Sequence, residues 1–452
     1  MRQLPLLAND ERVIPLAIDP NHPIVRLTKQ IDWILLEEIA REQRAKSVSS
    51  TRGLQPNYRA NCGAVVVRSL KSTDLRTTED LVRNYLPARY MCDLHNSHWT
   101  PDHDTIWEFE VMLGEDGLSL FNQHILSLAQ AEGFIDTTGL CSDTTAQEAK
   151  IPYPNEVGLM GAFGKSIARS LQTLGAAGNG IKNKIKRKLQ ELAKNLRKHR
   201  LFSKTKETRL KVGAKMSELS KDLLQDIGGL LGSISKNVSG KAKRAAGHMS
   251  EVYMTMSQLI SQIDYWIRTG HVAKEKIVSL FQEQLRSIVR GKIGKDVEFG
   301  LKWGINQIRG GYVHIFMMKE MRSADYDFAV EAVKEHIRLF GQAPKEFGFD
   351  RGGWSEPHMK QIENLGVKRV GVAPKGKQEW KVSKSCEDRI KRERAQVEGK
   401  IGTMKHYGFN KPEEKTTSGM QRAARRAELR FNCGKLLRDL FPPIKKLSLV
   451  KV

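Results

Sequence analysis

The chain has 452 residues, 40% of them hydrophobic, which is enough for two or three domains with buried cores. Its formal net charge of +24 points to a polyanionic partner, most often nucleic acid, with an anionic membrane surface as the alternative. The five scattered cysteines argue against a disulfide framework and favour a reducing compartment. The sequence contains neither a secretory signal nor a long apolar window, so we expect no transmembrane helix.

The first part of the chain, residues 1–130, is predicted to form a helical N-terminal domain. Its apolar residues recur at the spacing of one helix face, as in Ile24, Leu27, Ile31, Leu35 and Ile39. A short β-like segment over 134–143 comes next and ends in Cys141-Ser142-Asp143.

A basic segment interrupts the pattern after this first strand. Between Lys165 and Lys215 the only acids are Glu191 and Glu207. We interpret residues 161–293 as a basic helical insertion. Its charge has two explanations, a solvated face that only aids solubility or a surface that contacts DNA phosphates. The residues proposed for DNA contact are Lys184, Lys186, Arg187 and Lys188.

From residue 294 the pattern changes to α/β. Strict alternation predicts a half-buried strand through Val297, Phe299, Leu301, Trp303 and Ile305. A turn at Gly310-Gly311 and a partner strand over 312–318 are predicted next. Further along, a helix, a strand over 346–350, a helix, a strand over 369–372 and a long charged helix from about Cys386 are predicted. This order, with residues 131–160 supplying the first strand, matches an α/β ribonuclease-H-like core with a mixed sheet.

Three carboxylates stand where such a core could hold metal ions. Asp143 is predicted to end the first strand, Asp350 to end the fourth, and Glu398 to lie on the last helix. Cleavage of a phosphodiester with two metals requires oxygen ligands that converge from several elements. Arg394 and Lys405 share a helix face with Glu398, which suits contact with phosphate. On spacing alone, an Arg394–Glu398 surface ion pair explains the same pattern.

Other candidate motifs are weaker. Asp136 also comes after an apolar pair, but the residues downstream of Asp143 favour Asp143 over it. Asp325 and Asp327 lie at a helix start and are interpreted as caps. Gly158-x5-Gly164-Lys-Ser166 is one residue too long for a phosphate-binding loop, so nucleotide hydrolysis is not expected.

Three blocks of this sequence resemble bacterial insertion-sequence transposases of the DDE class. The run from Asp143 to Met160 resembles the block of their first aspartate, and Phe349-Asp350-Arg-Gly-Gly-Trp354 that of their second. Arg394-x3-Glu398-x6-Lys405 resembles their third block, usually written Tyr-x2-Arg-x3-Glu-x6-Lys, although Lys391 occupies the place of the tyrosine. The stretch from His22 to Leu126 resembles their helical N-terminal domain.

The resemblance implies a metal-dependent transposase, with Asp143, Asp350 and Glu398 as catalytic ligands of two Mg²⁺ ions, for which Mn²⁺ would substitute. Arg394 and Lys405 would contact phosphates. Trp354 would stack on a displaced base, unless it is a core aromatic beside the sheet. Residues 1–130 would bind transposon ends, and 131–160 with 294–452 would form the catalytic domain.

The implied partners are the terminal inverted repeats and target DNA, bound by a homodimer in the active complex, without a membrane. The implied location is cytoplasmic and nucleoid-associated. Two alternatives remain: a catalytically inactive, transposase-derived DNA-binding protein, and a basic protein that binds RNA or membranes without specificity.

Overall fold

The computed structural model describes residues 18–47, 55–174, 179–234, 240–292, 295–318, 320, 323–373, 380 and 382–442. The chain divides into two compact units. Unit 1 comprises residues 1–144, 304–409 and 421–452, and unit 2 comprises residues 145–303 and 410–420. None of the described helices has the length and the apolar character required to cross a membrane.

Unit 1 begins with six helices, as predicted for this region. They are α1 (Pro23–Gln30), α2 (Trp33–Ser47), α3 (Tyr58–Lys71), α4 (Leu75–Asn84), α5 (Leu86–Met91) and α6 (His103–Ala131). Side chains cap several of their N-termini. Asn57 accepts a hydrogen bond from the Ala60 amide, and Asp102 accepts one from Thr105. The apolar faces, with Leu27, Val65 and Phe121 among them, join in one buried cluster.

One mixed sheet of six strands comes after these helices. The strands are β1 (Asp136–Glu148), β2 (Arg286–Lys292), β3 (Lys295–Arg309), β4 (Val313–Phe316), β5 (Glu346–Phe349) and β6 (Arg369–Val372). The order is β2-β3-β1-β5-β6, and β4 pairs with β3. β1, β5 and β6 run parallel, whereas β2 and β4 are antiparallel to β3. Every strand predicted from residue 294 onward is present.

Two sequence predictions about strands are wrong. β1 does not end at Asp143 but continues to Glu148, because its later residues lie beside the long strand β3. There the Ala149 amide donates to the Phe299 carbonyl at 2.8 Å, and Gly300 lets the Gln147 backbone approach closely. The predicted helical insertion also does not extend to 293. Residues 286–292 form β2, whose strand conformation comes from pairing with β3 and not from an apolar alternation.

Helices pack on both sides of the strands of unit 1. They are α11 (Asp325–Phe340), α12 (Glu356–Asn364), α13 (Lys384–Met404) and α14 (Thr417–Leu440), and a π turn (Lys405–Phe409) comes directly after α13. Phe328 and Val333 of α11 join Leu140, Phe347 and other sheet residues in a buried cluster. Cys141 instead packs with Ile390 and Val397 of α13.

The last helix, α14, was not predicted, and its side chains satisfy the free edge of β4. Asn432 accepts a hydrogen bond from the Val313 amide at 3.0 Å and donates to the Val313 carbonyl at 2.7 Å. Glu428 accepts from the Ile315 amide at 2.9 Å, and Arg425 donates to the Ile315 carbonyl at 2.6 Å. The backbone groups that an edge strand leaves open are therefore paired within unit 1.

Unit 2 contains four long helices, α7 (Glu156–Thr173), α8 (Asn179–Phe202), α9 (Lys206–Ser233) and α10 (Gly240–Thr269). They enclose a buried apolar cluster that includes Phe163, Leu192, Leu223 and Met256. Gly161 and Gly164 of α7 bring this helix close to α8. A Cβ at Gly164 would lie only 2.8 Å from Leu192 Cδ2. The phosphate-loop-like run 158–166 is thus part of a packed helix and not a loop.

Candidate active site

Asp143 and Asp350 lie on adjacent parallel strands. Cys141 of β1 pairs with Gly348 of β5, and Asp350 directly follows β5 with extended backbone, φ −71° and ψ 173°. Asp143 and Asp350 each lie two residues beyond this pair, towards the carboxyl ends of the two parallel strands. β1 and β5 lie within the sheet and not at its edge. We predicted that both aspartates end adjacent parallel strands: Asp350 directly follows β5, whereas Asp143 lies within β1 and does not end it.

Both aspartates lie on the side of the sheet that α13 covers. Side chains two residues apart on a strand share a face, so Asp143 and Asp350 share the face of Cys141 and Gly348. Cys141 Sγ lies 3.6 Å from Glu393 Oε2 on α13. A Cβ at Gly348 would lie 2.7 Å from Ile390 Cγ2 on the same helix. The last long helix therefore packs over the face that carries the two carboxylates.

A further carboxylate, Asp325 at the start of α11, lies close to Asp350. The Thr144 hydroxyl donates to Asp325 Oδ1 at 3.1 Å. A Cβ added at Gly352 would lie 2.9 Å from Asp325 Oδ2 and 3.2 Å from Asp350 Oδ1, so the two carboxylates flank one glycine. The interpretation of Asp325 as a helix cap stays a prediction, since Asp325 lies at the start of α11 and its Oδ1 also accepts from Thr144. Asp327 does cap α11, because its Oδ2 accepts from the Ala324 amide at 2.7 Å.

Burial and the neighbouring carboxylate of Asp325 alter the ionisation of Asp350. Burial and then the negative charge of Asp325 raise the pKa of its carboxyl. The amide of Gly353, which donates to Asp350 Oδ1 at 3.2 Å, and the charge of Arg394 oppose this shift. Acids that repel one another at a sheet end, with partial compensation, are typical of functional sites and not of structural ion pairs.

The donor chemistry of Asp143 and Asp350 fits a hard divalent cation, since Mg²⁺ prefers carboxylate oxygens completed by water and phosphate. A cation between them would also offset the repulsion between Asp350 and Asp325. Among the described residues, however, no three His, Cys, Asp or Glu side chains are close enough to form a metal site by themselves. Further donors must therefore come from the substrate or from a carboxylate that moves closer.

Glu398 lies on α13, as predicted, and its side chain is exposed. It forms neither a hydrogen bond nor an ion pair with any residue that the structure describes, so the alternative Arg394–Glu398 surface pair is not observed. Lys405 comes directly after α13 with helical dihedrals, φ −60° and ψ −36°, and is half-buried. Lys391, at the place of the family's tyrosine, pairs with Glu387.

Trp354 is half-buried and packs against the cluster formed by α11, α12 and the sheet. This position agrees with the core-aromatic interpretation. Stacking on a displaced base stays a prediction for the part of the ring that remains accessible.

The basic residues proposed for DNA contact on α8 fall into two classes. Lys184 and Lys188 both pair with Asp226 of α9, at 2.8 Å and 2.7 Å. Lys186 and Arg187 are exposed and have no acidic partner among the described residues. Half of this set is thus neutralised within unit 2, and only the other half presents free charge to solvent.

Sequence reasoning missed Asp325 as a member of the acidic cluster. Its position at a helix start, together with Asp327, favoured a cap, and nothing local distinguishes the two aspartates. The signal lies in the fold, because β1 passes the start of α11 at Thr144. Comparison with family models, with curated proteins and with solved structures finds no match.

Proposed function

We propose that this chain is a DNA transposase of the DDE type that cuts and rejoins phosphodiester bonds with divalent cations. The observation that carries the proposal is that Asp143 of β1 and Asp350, directly after the parallel neighbour β5, each lie two residues beyond the paired Cys141 and Gly348. Two carboxylates at one level of a sheet, on the face covered by a helix, give the oxygen ligands that two-metal cleavage requires.

The topology supports the proposal. Apart from β2, the strands have the order β4-β3-β1-β5-β6, with β3 and β4 as an antiparallel hairpin and β5 and β6 parallel to β1. This is the strand order of a ribonuclease-H-like core. The helices α7–α10 lie in the chain between β1 and β3, where the helical insertion was predicted.

The path of α13 supports Glu398 as the third ligand. Ile390 packs at Gly348 of β5 and Gly371 of β6, Glu393 reaches Cys141 of β1, and further along Lys400 donates to Gln307 of β3 at 2.7 Å. The helix therefore advances from β6 towards β3.

Arg394, which acts electrostatically on Asp350, lies on the side of the helix next to the ends of these strands. Glu398 lies one helical turn later on the same side, in the direction of β1. This is the direction in which Asp143 lies. Glu398 is exposed in this structure, so its carboxylate would have to move to join the site when a cation or DNA is bound.

Different residues of the chain would bind the cations and contact the DNA. Asp143, Asp350 and Glu398 would hold Mg²⁺, or Mn²⁺ in its place, and bound cations would stabilise the charge that develops on the phosphate. Arg394 and Lys405, both on the helix above the carboxylates, would hold the scissile strand by its phosphates. Lys186 and Arg187 would contact DNA phosphates away from the cut.

Two copies would be needed to pair two transposon ends. The competing function is a catalytically inactive DNA-binding derivative of a transposase. It shares the basic surface but does not require the clustered aspartates.

A combined protection and nicking assay separates these functions. A fragment that carries the DNA flanking the gene is incubated with the protein in Mg²⁺, in Ca²⁺ and with a chelator. The proposal predicts sequence-specific protection in Ca²⁺ and strand cleavage at the protected repeat in Mg²⁺. Protection without cleavage in either Mg²⁺ or Mn²⁺ would support the inactive derivative. Protection that is independent of sequence would contradict both functions.

A further inference from the structure

Unit 2 contains a cleft of about 730 Å³ that has no part in the carboxylate site. Its walls are the segment before α7, the end of α8, the start of α9 and the end of α10. The volume lies within the range of sites that hold small organic ligands. All of its lining residues belong to unit 2.

One wall of the cleft is strongly cationic. Arg200, Lys206 and Arg209 line it, and none of the three has an acidic partner among the described residues. Glu156 is the only acid in the described lining, and it is buried and neutralised by Lys276 at 2.6 Å. Three cations without counter-charge at one cavity indicate an anionic ligand.

The pKa of a histidine in the lining agrees with this excess of positive charge. His199 lies between these cations in the same wall. Burial, and then the charges of Arg209 and Arg200, lower the pKa of its imidazole. The guanidinium of Arg209 is held in place because its Nε donates to the Ser203 carbonyl at 3.1 Å, which leaves its terminal nitrogens available.

Another part of the lining is apolar and aromatic. Trp266 is half-buried, with its ring against Gly213, where a Cβ would lie 2.6 Å from Trp266 Cζ3. Tyr153 is 74% exposed and is held edge-on by Phe299. Leu196 and Leu210 complete this side. Aromatic rings and guanidinium groups that line one cleft match a molecule with a phosphate at one end and a planar base at the other.

We propose that this cleft binds a nucleotide, with its phosphates at Arg200, Lys206 and Arg209 and its base against Trp266 and Tyr153. The same chemistry is offered by a free nucleotide and by the 5′-phosphorylated end of a DNA strand. The proposal does not depend on cleavage by the aspartates, and it would hold for an inactive DNA-binding protein as well.

Fluorescence anisotropy with N-methylanthraniloyl-ADP, on the full chain, tests the site. Arg200→Ala/Arg209→Ala should weaken binding by about tenfold or more, because each arginine supplies a charge-assisted contact. The matched control is Lys194→Ala/Arg197→Ala, which removes the same charge from exposed positions of α8 outside the cleft. The control should stay within about twofold of the wild type. Equal loss in both double variants, or no saturable binding by the wild type, would overturn the proposal.

A second variant keeps the charge and tests the base. Tyr153→Ala should weaken ADP while leaving competition by pyrophosphate unchanged, since only the base contacts the aromatic wall. An equal loss for both competitors would overturn the placement of the base. Competition experiments then identify whether the ligand is a free nucleotide or a DNA strand end. Displacement by a 5′-phosphorylated oligonucleotide but not by its unphosphorylated form assigns the site to a strand end, and displacement by ADP alone assigns it to a free nucleotide.

Discussion

Asp143 of β1 and Asp350, directly after the parallel neighbour β5, each lie two residues beyond the paired Cys141 and Gly348, although more than 200 residues separate them in the sequence. Their convergence requires that the long intervening segment leave β1 and return beside it. The cost of closing such a loop grows only logarithmically with its length, so a folded insertion does not prevent the meeting. Variants of these carboxylates and of their neighbours should therefore have separable effects on stability, cleavage and binding.

Asp350→Asn should stabilise the protein at neutral pH. The pKa of Asp350 is raised by burial and by Asp325, so its ionisation costs the folded state free energy as pH rises above the unfolded pKa. The amide removes this cost, and we expect a Tm higher by about 1–3 °C at pH 7. The gain should vanish in acid, where both forms are neutral. Thermal unfolding of Asp388→Asn, an exposed acid on α13, is the control, and a lower Tm for Asp350→Asn contradicts the account.

Glu398→Gln and Asp325→Asn should separate the third ligand from a neighbouring acid. We expect Glu398→Gln to reduce cleavage by at least about hundredfold, because a metal ligand acts in the transition state. The Tm should be unchanged, because the Glu398 side chain forms no hydrogen bond or ion pair with any described residue. Asp325→Asn should retain cleavage, since its amide oxygen can still accept from Thr144. Rates measured by single-turnover cleavage decide between them. The reverse pattern would move the third ligand from Glu398 to Asp325.

The two classes of basic residue on α8 should behave differently. Lys186→Ala/Arg187→Ala should reduce the slope of log affinity for DNA against log salt by about 1–2, because the released counterions scale with phosphate contacts. Lys184→Ala/Lys188→Ala removes the same charge but leaves Asp226 unpaired. It should lower the free energy of unfolding and change the slope less. Filter binding across salt concentrations, with urea unfolding alongside, measures both. Identical slopes for the two variants would indicate that the basic face of α8 is only solvated and does not contact DNA.

Glu428→Gln should destabilise unit 1 strongly. Glu428 is fully buried, accepts from the Ile315 amide, and pairs with Arg425 at 3.0 Å. Its pKa is lowered, against burial, by Arg425 and His314, so its contribution is present at neutral pH and is lost as pH falls through the lowered pKa. We expect a loss of about 3 kcal/mol, since Arg425 keeps Glu115 and the Ile315 carbonyl but loses the charge of Glu428. Urea unfolding at pH 7 measures it, and a loss below about 1 kcal/mol would show that the edge of β4 is held by other contacts.

The strands after residue 294 could be predicted from the sequence because their apolar residues alternate and because glycine marks the turn. Gly310 and Gly311 adopt φ of 107° and 94°, which favours glycine. That β1, which contains Asp143, and β5, which Asp350 follows, are parallel neighbours could also be predicted from the order of elements. These features are local patterns or result from the order of parallel strands.

Other features depend on tertiary contacts that no local pattern encodes. β2 forms because β3 offers it a partner, and the extension of β1 beyond Asp143 has the same cause. α14 is rich in charges and has no clear apolar stripe, because its buried Arg425, Glu428 and Asn432 bind the edge of β4 instead. The role of Asp325 depends on Thr144, which is distant in sequence.

The most direct measurement is cleavage of DNA that carries the sequences flanking the gene, with Mg²⁺, by the wild type and by Asp143→Asn/Asp350→Asn. Binding of the same DNA in Ca²⁺ is measured in parallel. We expect the wild type to cut at the repeat and the double variant to lose cutting entirely while binding within about threefold, because metal ligands act in the transition state. Cutting at the wild-type rate by the double variant would show that the two aspartates do not carry the reaction.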